Sequence, residues 1–204
     1  MITLTELQHD ILTEIINIGM GSAAAALSTM VKDEVTIGVP NISFSSVESI
    51  QDNLIELSSG KLAAVRQGFN GELEGDAMLL FPGDKSLEIV RLLLADTLPI
   101  DNDNFSDFEQ EALSEIGNII LNAGLSAIAN TLKFSVSSSL PLYKQGDMTT
   151  LLSSSDQTQT VLILKVELGL EHKQIKGYVI YLMDIHAIDH LITHIDRYLK
   201  SITA

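Results

Sequence analysis

The sequence predicts an α+β fold, an internal duplication in which a unit of helix, antiparallel strands and helix occurs twice with pseudo-twofold symmetry. Three observations lead there. The two longest uncharged stretches, Ile15–Val31 and Ile116–Leu132, are both 17 residues long and begin 101 positions apart. A shift of 101 aligns Leu12 with Leu113, Glu14 with Glu115, Asn17 with Asn118, Ala26 with Ala127, Lys32 with Lys133 and Pro40 with Pro141. After each long apolar stretch come short strand-like runs with tight links, which favour antiparallel pairing.

Each element has a local reason. Thr5-x-x-Gln8 is a capping box and opens a helix to about Leu27. Strands follow at Val35–Phe44, Leu54–Leu57, Leu62–Phe69 and Leu73–Phe81, with Ser58-Ser59-Gly60 as a hairpin turn. Pro82-Gly83 ends this run, and a helix spans Lys85–Ala95. Asp96–Asn104, which contains Pro99, is the linker. The second unit repeats the order. Ser106-x-x-Glu109 caps a helix to about Ile128; strands are expected at Phe134–Tyr143, Thr149–Leu152, Val161–Leu168 and Ile175–Met183, and a last helix at Ile185–Lys200. The chain 1–204 thus reads as one domain of two repeats, 1–100 and 101–204.

Composition narrows the function. Hydrophobic residues make up 46% of the 204, enough for a sizeable core and too many for a disordered chain. There is no Cys, so no disulfide, thiolate metal site or cysteine nucleophile is available, and a reducing, cytoplasmic setting is expected. The first ten residues lack the basic and apolar regions of a secretory leader. The formal charge of -15, from 27 acidic and 12 basic residues, argues against nucleic acid as a partner. The long apolar stretches fall short of the about 20 residues that a membrane span needs, and they contain Asn17, Ser22, Asn118 and Asn122, so no membrane insertion is expected.

The chemistry concentrates in a polar stripe on the first helix of each unit. At about 100° per residue, Glu14 and Asn17 fall near 40° and -20° of Asp10 on a helical wheel. Leu7, Ile11, Leu12, Ile15, Ile16 and Ile18 fill the arc from about 60° to 240°, which is expected to face the core. Glu111, Glu115 and Asn118 repeat the stripe. A solvated helix face is the bland explanation. Against it, carboxylates at i and i+4 repel by roughly 0.2–0.5 kcal/mol, and Asn inside a helix costs up to about 0.7 kcal/mol relative to Ala. The same unfavourable choice stands at matched positions in both units. A carboxylate beside a carboxamide can engage a cation and position a water, but it provides no strong nucleophile. Three oxygen donors on one helix, one of them weak, make an incomplete metal site, so no metal is assigned.

Asp10-x3-Glu14-x2-Asn17-x22-Pro40 and Glu111-x3-Glu115-x2-Asn118-x22-Pro141, with their flanks EIINIGMGSAAAALS and ALSEIGNIILNAGLSAIA, resemble the paired signature of the CheC/CheX/FliY phosphatases. The resemblance covers nearly the whole chain and is nearest the CheC branch, so a CheC-like fold is expected. It implies hydrolysis of the aspartyl phosphate of a CheY-like response regulator in bacterial chemotaxis. Glu14 and Glu115 would engage the regulator's active-site Lys. Asn17 and Asn118 would orient the attacking water, and Asp10 and Glu111 would contact the partner. The protein would carry no cofactor of its own, with Mg²⁺ held by the phosphorylated partner. The family motif prefers Asp or Ser at its first position, so Glu111 departs from it, and Asn122 stands where the first unit has Gly21. Two other functions remain in view: a non-enzymatic chemotaxis or flagellar-switch adaptor that binds CheY or the receptor deamidase CheD, and a metal-dependent hydrolase.

Remaining features read as structure. Gly19, Gly21, Gly117 and Gly124 suggest close packing of the two long helices or a local break, and Pro40 and Pro141 a turn or strand edge beneath the stripe. His186, His190 and His194 at i,i+4 spacing could bind a transition metal but fit an exposed face of the terminal helix better.

Overall fold

A computed structural model describes residues 4–50, 60–94, 107–153, 160–170 and 173–203. The expected strand Leu54–Leu57, the turn residues Ser58-Ser59, the linker Asp96–Asn104 and the cap at Ser106 lie outside them.

Helix α1 (Glu6–Val31) starts as its capping box dictates: Gln8 N donates to Thr5 Oγ1 at 3.3 Å and Thr5 N to Gln8 Oε1 at 2.9 Å. Three strands and a helix follow in the first half: β1 (Val35–Ser46), β2 (Leu62–Gly71), β3 (Gly75–Pro82) and α2 (Gly83–Leu94). Helix α3 (Asp107–Leu132) has the same 26-residue length as α1, and both end on a left-handed lysine, Lys32 at φ 58° and Lys133 at φ 61°. Then follow β4 (Val136–Ser138), β5 (Leu142–Gly146), α4 (Met148–Leu152), β6 (Thr160–Leu170), β7 (Lys173–Met183) and α5 (Ile185–Thr203).

One of these elements departs from expectation. Thr149–Leu152, expected as a strand, lies in the short helix α4. Asp147 caps it, with Thr150 N donating to Asp147 Oδ1 at 2.7 Å, and Met148, Leu151 and Leu152 bury one side. A local cap and a helical apolar spacing outweighed the β-branched threonines. The expected strand Phe134–Tyr143 is also interrupted, into β4 and β5.

The strands form one antiparallel sheet of order β1-β6-β7-β3-β2-β4, with β5 also on β2. The order reads the same from either edge when β1 is exchanged for β4 with β5, β2 for β6, and β3 for β7. Both faces are covered. Ala63, Val65, Leu79, Phe81, Leu162, Leu164, Val179 and Tyr181 face a large core shared with α1, α2, α3 and α5. The alternate residues, among them Leu62, Ala64, Met78, Leu80, Ile163, Ile180 and Leu182, face a smaller core closed by Val47, Ile50 and α4. Two-sided burial explains why the central strands are almost continuously apolar.

Helices α1 and α3 lie against each other at their glycines. A Cβ on Gly19 would stand 2.8 Å from Ala123 O and 2.9 Å from Ala127 Cβ, and one on Gly117 would stand 2.6 Å from the Val65 side chain. Both helices are long and apolar enough, by length and composition, to cross a membrane; here Leu12, Ile16 and Met20 of one, and Leu113, Ile116 and Ile120 of the other, are packed into the core. Gln8 Nε2 donates to Asp196 Oδ1 at 2.7 Å and ties α1 to α5.

Two stability measurements follow. Gly19→Ala should lose about 1–3 kcal/mol in denaturant unfolding, because the added methyl meets backbone that cannot yield. Gly21→Ala, whose Cβ would meet nothing within 4 Å, should gain about 1 kcal/mol from helix propensity. Separately, the Tyr181 hydroxyl is buried without a hydrogen-bond partner among the described residues, and burial pushes its pKa far up. Tyr181→Phe should therefore raise stability by about 1 kcal/mol, and a fall in the unfolding midpoint would show a partner for that hydroxyl.

Candidate functional site

Burying Leu12, Ile15 and Ile16 turns Asp10, Glu14 and Asn17 outward on α1, all exposed. Burying Leu113 and Ile116 does the same on α3, leaving Glu111 and Glu115 exposed and Asn118 half-buried. The helices are antiparallel: Gly19 lies against Ala123 and Ala127, while Met30 shares a cleft with Phe108 and Glu111. The stripes therefore sit toward opposite ends of the helix pair, as two separate sites.

Leu7 and Ile18, expected in the core, are each 53% exposed. They occupy the margin of the apolar arc nearest the stripe, where the helix surface already turns to solvent. Phe108, at the position matching Leu7, is 51% exposed. Each stripe thus has an apolar shoulder. At the second site the shoulder widens into an open cleft of about 540 Å³, lined by Met30, Phe108, Glu111, Glu115, Asn118, Leu140 and Pro141 among others. Leu140 is 84% exposed.

Pro40 lies at a β-bulge in edge strand β1, and Pro141 in the break between β4 and β5, where two residues likewise oppose one. Gly38 pairs with Glu167 and Asn41 with Lys165, so Val39 and Pro40 stand opposite the single residue Val166. In the other half Ser139 N donates to Gly68 O at 2.8 Å and Leu142 pairs with Arg66, so Leu140 and Pro141 stand opposite the single residue Gln67. An edge bulge is where a residue without an N–H can be accommodated.

The two amides differ in their surroundings. Asn118 Oδ1 accepts from Gln67 Nε2 at 3.1 Å and from Asn122 Nδ2 at 2.6 Å. Gln67, only 4% exposed, also donates through Nε2 to Ser139 O at 2.7 Å. Asn122 Oδ1 accepts from Ser138 Oγ at 2.6 Å. By contrast, no hydrogen bond to the Asn17 side chain is found among the described residues. The sequence reading passed over Gln67, although a signal was present: it follows Ala63 and Val65 on the core-facing alternation of β2, one polar residue in an apolar series. The apolar shoulders gave no such signal, since Phe108 and Leu140 look like ordinary core residues.

Among the described residues no group of three or more His, Asp or Glu side chains is placed to hold a metal. The histidine ladder is not an exposed face throughout. His194 is 6% exposed, its Nδ1 lies 3.3 Å from Leu132 O at the end of α3, its Nε2 lies 3.7 Å from Glu72 Oε2, and its ring packs on Phe134. His186 and His190 are exposed.

Residues 7–44 match the model of the CheC-like family. CheY-P phosphatase CheC of Bacillus subtilis is 28% identical over 142 residues, 68% of this chain and 66%, just under two thirds, of that relative. FliY of Thermotoga maritima superposes at a TM-score of 0.77, with 18% identity, over 97% of this chain and 100% of that one. FliM from the FliG–FliM complex of Helicobacter pylori gives 0.67 at 13% identity over 93% and 100%. The CheX–CheY–BeF3–Mg²⁺ complex of Borrelia burgdorferi gives 0.50 at 17% identity over 84% and 99%. Family model, curated relative and fold agree in what they resemble: residues 7–44 are similar to the CheC-like family, and the chain shares the fold of FliY.

Proposed function

We propose that this protein is a phosphatase for the aspartyl phosphate of a CheY-like response regulator, acting through two sites. The observation that carries this reading is an exposed carboxylate followed one turn later by a carboxamide, at matched positions on two helices, beside an apolar shoulder suited to a protein partner. The name of the Bacillus subtilis relative gives the substrate class.

The chemistry asked of these groups is modest. An acyl phosphate is already activated, so orientation and charge placement supply most of what a catalyst can add. Glu14 or Glu115 pairs with a lysine at the regulator's active site, while Asp10 or Glu111 contacts the partner one turn earlier. Asn17 or Asn118 fixes the water. Its oxygen attacks phosphorus, the bond from phosphorus to the aspartyl oxygen breaks, and that electron pair leaves on the restored carboxylate. The water's proton passes to a phosphoryl oxygen, and inorganic phosphate departs. A carboxamide suits this place because it holds a water without adding negative charge beside the phosphoryl group. The Mg²⁺ that offsets the phosphate charge belongs to the regulator.

A non-enzymatic adaptor is the competing reading, and the likeness to FliM in a complex with FliG favours it. Binding of CheD belongs to the same reading. The acid–amide pairs separate the two, since an adaptor has no use for a water-positioning amide.

Phosphate release from phosphorylated regulator should accelerate at substoichiometric protein. Asn17→Ala or Asn118→Ala alone should leave one working site, and the double variant should lose about 100-fold or more in kcat while still binding the regulator. Binding without acceleration by the wild-type protein would establish the adaptor instead. Glu14→Gln with Glu115→Gln should chiefly raise KM, and the loss should grow less marked at high salt, where the ion pair is screened in any case.

A further inference from the structure

We propose that Gln67 is a positioning residue for the second site, and that it makes Asn118 a pre-oriented donor, a state that Asn17 lacks. The proposal rests on the phosphatase reading above and adds a residue to it. A carbonyl can only accept a hydrogen bond. Ser139 O, presented at the Leu140–Pro141 break, therefore requires the NH2 end of Gln67, and the 2.7 Å contact takes one of its hydrogens. The second hydrogen points at Asn118, which must answer with its oxygen. Asn122 adds to the same arrangement: its NH2 donates to Asn118 Oδ1 at 2.6 Å, while its own Oδ1 accepts from the Ser138 hydroxyl. Two donors on one oxygen turn that oxygen inward. The Asn118 NH2 is left facing the cleft that Glu115 lines, ready to donate to the water or to a phosphoryl oxygen.

The first site lacks the side chains of this support. Gly21 stands where the second has Asn122, Ile37 where it has Ser138, and Gly38 where it has Ser139. Opposite the bulge, the place of Gln67 is taken by Val166, 2% exposed. A buried carboxamide is costly unless its hydrogen bonds are made, and valine shows that the fold does not need one there. With no orienting donors, Asn17 must be set by the partner as it docks. The second site should consequently turn over faster for the same docking surface.

The test uses the full chain. In an Asn17→Ala background, where only the second site works, Gln67→Met should lower kcat about tenfold and change KM for the phosphorylated regulator less than twofold. In an Asn118→Ala background the same substitution should leave first-site turnover unchanged. Side-chain ¹⁵N relaxation of the free protein should show the Asn118 NH2 ordered in wild type and mobile in Gln67→Met, with the Asn17 NH2 mobile in both. Equal loss in both backgrounds, no loss, a gain, or an Asn118 amide as mobile as Asn17 in wild type would each overturn the proposal. Should Gln67→Met fail to fold, Asn122→Ala removes the other donor and should show the same site-confined loss. If the wild type gives no turnover at all, the phosphatase reading falls, and amide relaxation alone decides the role of Gln67.

Discussion

The close approach of α1 and α3 governs the rest of the structure. Two helices of 26 residues must each bury a broad apolar arc, and one sheet face has to receive both of them. They fit because Gly19 lies where they touch, against Ala123, Gly124 and Ala127, and because Gly117 lets α3 settle on Val65 of β2. Side chains at those points would hold the helices apart and open gaps in a core that tolerates few. Once the helices are seated, their rotation about their own axes is set. What remains outside is a narrow strip, and that strip carries the acids and amides. The same rotation leaves Leu7, Ile18 and Phe108 half out of the core. The geometry of both sites is thus a by-product of how the core is filled.

Inequality between the sites arises at the other end of the same packing. The helices are alike in length, in the left-handed lysine that ends them and in stripe, but the strands beneath them are not. In one half the edge strand runs for 12 residues, and the residue opposite its bulge is Val166 of β6. In the other it breaks after Ser138, and three hydroxyl or amide side chains and one carbonyl gather there. Differences of this kind are local and inexpensive in stability, since a satisfied polar cluster and an apolar one both close the same space. They are one means by which two related sites diverge without altering the helix that bears the reacting groups.

Much of this was legible in the residues. The matched capping motif, the shift of 101 and the alternation of apolar strands gave the element order, and the stripe was visible from helical spacing. Three things were hidden, each for a physical reason. Thr149–Leu152 looks like a strand because its threonines favour one; Asp147 just before it caps a helix turn, and three-dimensional burial of Met148, Leu151 and Leu152 decides the matter. Leu7 and Ile18 belong to the apolar arc by angle, yet an arc can be wider than the surface available to cover it. Gln67 is 51 positions from Asn118, and only the packing of α3 on β2 brings the two together. Contacts of that separation leave no periodic trace in a single sequence.

The sheet carries a last consequence. Among the described residues, edge strand β1 pairs only with β6, and β4 and β5 pair only with β2, so each half closes its border with a strand lent by the other. The halves are interlaced, and cutting the chain at its midpoint would produce fragments with open borders on both sides, unable to stand alone. A half-length chain of this design could complete its sheet only by clasping a second copy of itself. Joining two such chains end to end supplies that second copy within one chain, and it frees each half to vary without imposing the change on its twin.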